Sequence, residues 1–291
     1  MRTVGSAFFV LFTVVFGVLA LPSAWIAAHV VSEEGFVQLA SPLSEDPEFT
    51  QALADALSEE ATAGVDLPSG IAETVQPIVA GIAERITELP GFEQAWDETL
   101  TRSHSLTFAD SRQLPPEADA SSSFTLDVAP LVALVTTEIG NQFGVDVPAP
   151  QQTLVNIGQA NHRALLERVE TAASLWPALT AAAAIGAVLS LLIARRRSTT
   201  LAVLGLGVVL GGALLWFVAG FAPQIVDRTA DANAVADVFK DALTVRAADG
   251  FQAWCLAAIA VGLLLAVAGL AARLLSGSRR RRLPSERTAR L

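Results

Sequence analysis

Apolar side chains gather in four runs that hold no Asp, Glu, Lys or Arg: Val4 to Val31, Ala173 to Ala194, Leu201 to Ala222 and Phe251 to Ala272. Each is 22 residues or longer, against the roughly 20 a helix needs to cross ~30 Å of hydrocarbon. A helix satisfies its backbone groups within the segment, so four transmembrane helices are expected. Between the first two runs lies residues 32–172, a long polar stretch with its own periodicities. A second polar stretch, residues 223–250, separates the last two runs.

Within 32–172 the pattern is mostly helical. Ser32, Glu33 and Glu34 either continue the first helix or cap a new one. Asp46-Pro47 is a sharper start, an N-cap acid followed by proline in the first turn. Phe49, Leu53, Ala56 and Leu57 then recur at helical spacing until Gly64. A second helix is predicted from Ser69. Pro77 should kink it, and Ile78, Ile82, Ile86 and Leu89 continue one face. Pro90-Gly91 opens a third, with Phe92, Trp96 and Leu100 as its stripe. Ala109 to Ser123, with Pro115-Pro116 and three consecutive serines, reads as a loop.

Phe124 to Val128 alternates as a short strand. Asp127 or Ala129 leads into Pro130, and Leu131, Leu134, Val135, Ile139 and Phe143 mark a helix ended by Gly144. Thr153 to Ile157 is a second short strand. The two should pair, because a lone strand leaves backbone groups unsatisfied. From Gln159 a helical pattern runs into span two, interrupted only by Pro177. If helical throughout, its 36 residues would extend ~54 Å and carry the polar domain on a stalk. In 223–250, Val235, Phe239 and Leu243 form one helical stripe, expected to dock against the larger polar domain.

Charge gives the chain a direction. The net charge of −10 conceals a split. Arg2, Arg195, Arg196, Arg197, Arg273, Arg279, Arg280, Arg281, Arg282, Arg287 and Arg290 lie in the tails and the loop between spans two and three, opposed only by Glu286. The two polar stretches hold the remaining eight basic and 28 acidic side chains. Short loops beside spans carry Arg and Lys on the cytoplasmic side. The termini (1–3 and 273–291) and the loop 195–200 are therefore expected in the cytoplasm of a bacterial plasma membrane. Residues 32–172 and 223–250 are then extracytoplasmic. Span one, 4–31, is longer than a signal-peptide core and has poor cleavage positions after Ala27 and Ala28, so it is read as an uncleaved anchor. Trp25 and His29 would lie near its outer interface.

The expected fold class is mainly α: a four-helix transmembrane bundle (4–31, 173–194, 201–222, 251–272) with a mostly helical extracytoplasmic domain containing a minor two-stranded β element. Gly207 and Gly211 have the small-xxx-small spacing that lets helices approach. Gly186 and Ala181 to Ala184 offer span two as the partner, within one molecule in preference to a homodimer.

Candidate chemistry is sparse. The spans lack the intramembrane charges that mark most ion paths and proton relays. There is no GxxxxGK[ST], and the single lysine is Lys240. No HExxH exists, and the three histidines are far apart. His104 is flanked by Ser103 and Ser105, but adjacency does not make a catalytic pair. Asp231-x-Asn233 begins like a calcium loop and fails at Val235 and Ala236. Cys255 is the only cysteine, so no intrachain disulfide holds the polar domain. No catalytic residue, metal site or cofactor is predicted. Arg195, Arg196, Arg197, Arg279, Arg280, Arg281 and Arg282 are assigned to topology and to anionic-lipid contact.

One pattern is familiar. It consists of Val30 through Phe36, Pro42-Leu43, Asp46-Pro47 and Leu53 directly after span one, then Phe92, Trp96 and His104, then Thr125-Leu126-Asp127-Val128-Ala129-Pro130-Leu131-Val132. The chain resembles a family of uncharacterised four-span integral membrane proteins of high-GC Gram-positive (actinobacterial) bacteria. The resemblance implies a cell-membrane location and brings no activity or catalytic residues. The leading expectation is a non-enzymatic membrane protein whose outer domain meets an envelope protein or ligand, or senses an extracytoplasmic signal. A transporter subunit or permease-like protein, and an extracytoplasmic enzyme using scattered acids, are the alternatives. Expected partners are the bilayer and an extracytoplasmic protein or ligand, not nucleic acid, with nothing in favour of a homo-oligomer.

Overall fold

The computed structural model describes residues 2–63, 81–82, 85–109, 124–144, 148–156, 163–226 and 234–280. Among these the protein is mainly helical, with four long apolar helices and one two-stranded antiparallel sheet. The chain divides into two compact units. One comprises Met1–Trp25, Ala172–Phe221 and Asp249–Leu291, and the other Ile26–Thr171 with Ala222–Ala248.

The first unit is built from α1 (Arg2–Ile26), α7 (Trp176–Ile193), α8 (Arg197–Ala219) and the part of α10 (Ala234–Arg280) from Asp249 onward. The helices long and apolar enough to cross a membrane are Val4–Val31, Leu165–Ile193, Arg197–Ala219 and Asp237–Leu275. Their outward faces carry large exposed apolar side chains such as Phe8, Leu11, Ile185, Leu210, Leu264 and Val267. An apolar surface of this extent suits lipid rather than water.

Inside the bundle, small residues set the spacing. Gly207 and Gly211 of α8 lie under Val14 and Val18 of α1, so that a Cβ at either glycine would collide with a valine methyl. Two valines four residues apart on α1 thus fill the groove left by two glycines four residues apart on α8. The sequence pairs this glycine face with span two. The structure pairs it with span one, and Gly186 of α7 also faces α1, at Phe12 and Thr13. Glycine spacing specifies a groove but not which ridge enters it. Ser6 Oγ donates to the Ser190 carbonyl (3.2 Å), joining α1 to α7.

On another face α8 meets α10 backbone to backbone. An ideal Cβ on Gly205 would stand 2.5 Å from the Gly262 carbonyl oxygen, and one on Gly262 would stand 2.8 Å from that of Gly205. Trp25, expected at the outer interface, is 5% exposed. It packs edge-on against Phe251 with centroids 5.7 Å apart. Gly250 lies beside the indole, where an added Cβ would make an ordinary contact 3.6 Å from Trp25 Cζ2.

One helix break falls at the proline expected to interrupt the run, and elsewhere two expected helices are one. The run toward span two is not one helix: α6 (Arg163–Ser174) ends, and α7 starts at Trp176 with Pro177 in its first turn. Proline has no N–H to continue the ladder, so the break falls just before it. Residues 157–162, where the proposed stalk begins, lie outside the described residues. Conversely, after a short α9 (Ala222–Val226), the helix of 223–250 and span four are a single 47-residue α10. No proline or turn residue stops it, and Gly250 is tolerated within it.

The second unit begins with a π-helical turn, Ala27–Val31, in which the Ser32 N–H donates to the Ala27 carbonyl (3.1 Å). Ser32 then caps α2 (Glu33–Ala40) by accepting from the Gly35 N–H, with Glu33 and Glu34 in the first turn. Gly35 has to be glycine. Its missing side chain would point into the Ala28 carbonyl, with backbone and no flexible group in the way.

A short 3-10 turn, Ser41–Glu45, leads to α3 (Pro47–Ala63). Asp46 Oδ1 accepts from the Glu48 and Phe49 N–H groups (2.9 and 3.2 Å), the cap that the Asp-Pro pair predicts. Gly91, at φ +93°, makes the left-handed entry to α4 (Phe92–Phe108). β1 (Thr125–Asp127) pairs antiparallel with β2 (Leu154–Asn156), Leu126 opposite Val155. Between them α5 (Ala129–Phe143) ends at Gly144 in the left-handed region. The helix predicted from Ser69 lies largely outside the described residues; Ile86–Glu88 is a 3-10 turn.

One core holds this unit together. Phe36, Leu43, Phe49, Leu53, Trp96, Leu100, Leu126, Leu131 and Val135 are buried in it. Phe239 joins them from α10, with ring centroids 5.8 Å from Phe49 and 5.4 Å from Phe124. Arg246 donates to the Pro42 carbonyl (3.1 Å). The second polar stretch therefore docks on the larger domain, as its Phe239 and Leu243 stripe predicts.

Candidate functional site

The sequence offers no catalytic constellation, so the site has to be found from shape. In the second unit α4 and α5 lie side by side and leave a groove of about 590 Å³ between them. Small residues line part of it: Gly91 and Ala95 from α4 and its entry, and Ala129 and Ala133 from α5. Gln94, Glu98, Arg102, Thr137 and Gln151 supply polar groups. Short side chains at i and i+4 on both helices are what open the cleft, because larger ones would interdigitate and close it.

Behind the groove is a buried polar node at Asp127, 2% exposed. Its Oδ1 accepts from the Ala129 N–H and the Thr153 N–H, each at 3.1 Å. The other oxygen lies 3.9 Å from Arg102 Nη1. The Asp127 N–H donates to Ser103 Oγ (2.9 Å), and that hydroxyl donates to the Thr99 carbonyl (2.5 Å). One carboxylate thereby starts α5, anchors β2 and meets α4. Its charge is balanced by two amides and a guanidinium, as a buried charge requires. Arg102 also pairs with Glu98 one turn earlier, both roughly half exposed. The arginine thus joins the buried carboxylate to the groove's polar lining.

Both Asp127 oxygens have partners, and Glu98 is held by Arg102. His104 is buried on α4, its ring against Phe36 and Phe108 and its Nε2 3.1 Å from the Val30 carbonyl oxygen. A carbonyl only accepts, so Nε2 carries the hydrogen. His104 therefore has a structural task, and its neighbour Ser103 is committed to the Asp127 node. Among the described residues no group of three or more His, Cys, Asp or Glu could hold a metal ion.

The residues singled out from sequence lie elsewhere. Arg195 and Arg196, in the connection between α7 and α8, and Arg197, the first residue of α8, are exposed. Arg279 and Arg280 are the last residues of α10, and Arg281 and Arg282 lie outside the described residues. Gly207 and Gly211 are inside the bundle against α1. Sequence reasoning missed the Asp127 node and the groove. The available signal was an aspartate two residues before the helix-opening Ala129-Pro130, a spacing at which a carboxylate caps its own chain.

No family model, curated protein or solved structure matches this chain.

Proposed function

We propose that this is a non-enzymatic, multi-pass protein of a bacterial plasma membrane, and that its polar domain is an extracytoplasmic binding or sensing module. The α4–α5 groove takes an extended segment of an envelope partner. The observation that carries this reading is the groove itself. It combines a narrow bed of small residues with hydrogen-bonding groups along its length, and a fully paired carboxylate behind it. Small residues admit a main chain closely, while Gln94, Thr137 and Gln151 can exchange hydrogen bonds with its amides. The charge split along the sequence supports the outer placement.

Passage of a solute between the glycine-rich spans is less well supported. The glycine faces of α8 are occupied by Val14, Val18 and the α10 backbone.

A photo-crosslinking amino acid placed at Gln94 or Thr137 in the full-length protein, in intact cells, tests the proposal. The expected result is a discrete crosslinked species that disappears when Ala95→Trp fills the groove. The same species from a probe at exposed Gln51 on α3, or its persistence in the Trp variant, would refute it.

A further inference from the structure

Four arginines converge at one end of the bundle. Arg195 and Arg196 lie in the connection between α7 and α8, Arg197 opens α8, and all three are exposed. The fourth, Arg273, comes from α10. Its level is set by Gly269, where an ideal Cβ would stand 2.7 Å from the Ser198 carbonyl oxygen and 2.5 Å from the Ala202 N. There α10 crosses the first turns of α8 backbone to backbone. Arg273 lies one turn further along the same face of α10, ~6 Å along the axis. That brings it level with the Arg195–Ser198 end of α8, and it too is exposed.

The adjoining sequence carries no acidic side chain. Residues 171–226 and 250–285 contain no Asp or Glu. Among the described residues none of the four guanidiniums takes part in an ion pair. The cations border an apolar surface: Leu192 is 61% exposed, Leu274 75% and Leu275 70%. A soluble anion would answer only the charge. A phospholipid answers both features, with phosphate oxygens accepting from guanidinium forks and acyl chains covering leucines.

We propose that Arg195, Arg196, Arg197 and Arg273 form a headgroup site for anionic phospholipid at this end of the bundle, with the acyl chains on the adjacent exposed leucines. The site is independent of the groove and of what the groove binds.

The test is lipid retention by the full-length protein in nanodiscs made from equal parts phosphatidylglycerol and phosphatidylcholine, read by native mass spectrometry after release. The wild type should keep phosphatidylglycerol over phosphatidylcholine by about threefold or more, falling as salt is raised toward ~0.5 M. Replacing all four arginines by glutamine should bring the ratio close to one. Replacement by lysine, which keeps the charge but loses the fork, should leave an intermediate ratio. An unbiased wild type, or a glutamine variant with undiminished preference, would overturn the proposal. So would displacement of the lipid by ~10 mM inorganic phosphate, which would mark a soluble-anion site. Should the glutamine variant fail to fold, the lysine variant and the salt titration decide: a ratio unmoved by both overturns the proposal.

Discussion

His104 Nε2 donates to the carbonyl oxygen of Val30 across 3.1 Å. The two residues are 74 positions apart, and the bond ties the middle of α4 to the π-helical turn that opens the polar domain. The Val30 carbonyl is at the end of that turn, where the chain leaves helical geometry at Ser32. An imidazole suits the position because it combines a donor with a flat apolar body against Phe36 and Phe108. His104→Ala removes both. A loss of about 2–3 kcal/mol is expected, seen as a lower thermal midpoint of the detergent-solubilised full chain. An unchanged midpoint would mean that the contact does not anchor the turn.

Asp127 should be the most sensitive polar position in the domain. Alanine there strips the acceptor from two buried amides and leaves Arg102 with Glu98 as its one carboxylate among the described residues. The expected cost is about 3 kcal/mol. Asparagine, which keeps an oxygen for the amides and loses the charge, should cost roughly a third of that. Equal losses for the two variants in the same thermal assay would show that charge balance, not amide capping, is what matters.

Phe239→Ala tests whether the second polar stretch is part of the domain. The ring fills space between Phe49 and Phe124, and its removal should cost about 3–4 kcal/mol through the cavity left behind. Limited proteolysis should then reach residues 234–248 well before the rest of the domain. Protection equal to wild type would argue that the docking contributes little.

Glycine substitutions in the bundle should sort by contact. Gly205→Val drives a side chain into the α10 backbone and should destabilise by about 3 kcal/mol. Gly17→Ala points into open space, with nothing within 4 Å of the added carbon. It should stay within about 0.5 kcal/mol of wild type. Thermal midpoints measured in one detergent compare the pair directly, and a reversed order would contradict the packing described here.

What the sequence revealed follows the range of the forces involved. Local signals were readable: the Asp46-Pro47 cap, the strand pair around Leu126 and Val155, and the Gly144 stop all depend on neighbours within a few residues. Phe239 was readable as one member of a stripe, though not as a partner of Phe49. The groove was not legible, because Ala95 and Ala133 are unremarkable until α4 and α5 are set side by side. Nor was the Asp127 node, whose donor, the Thr153 N–H, is reached only across 26 residues. The glycine pair at 207 and 211 announced close packing, yet only the matching spacing of Val14 and Val18 identified span one as the partner.

In the proposed topology the polar domain lies on one side of the membrane and Arg195–Arg197 on the other. Cys255 is the only cysteine and is buried, so a Cys255→Ser background makes single-cysteine labelling clean. With a membrane-impermeant maleimide on intact cells, a cysteine at exposed Glu93 should label at once. A cysteine at exposed Arg196 should label only after lysis. Labelling of Arg196 in intact cells with Glu93 protected would contradict the orientation, and with it the extracytoplasmic role of the groove.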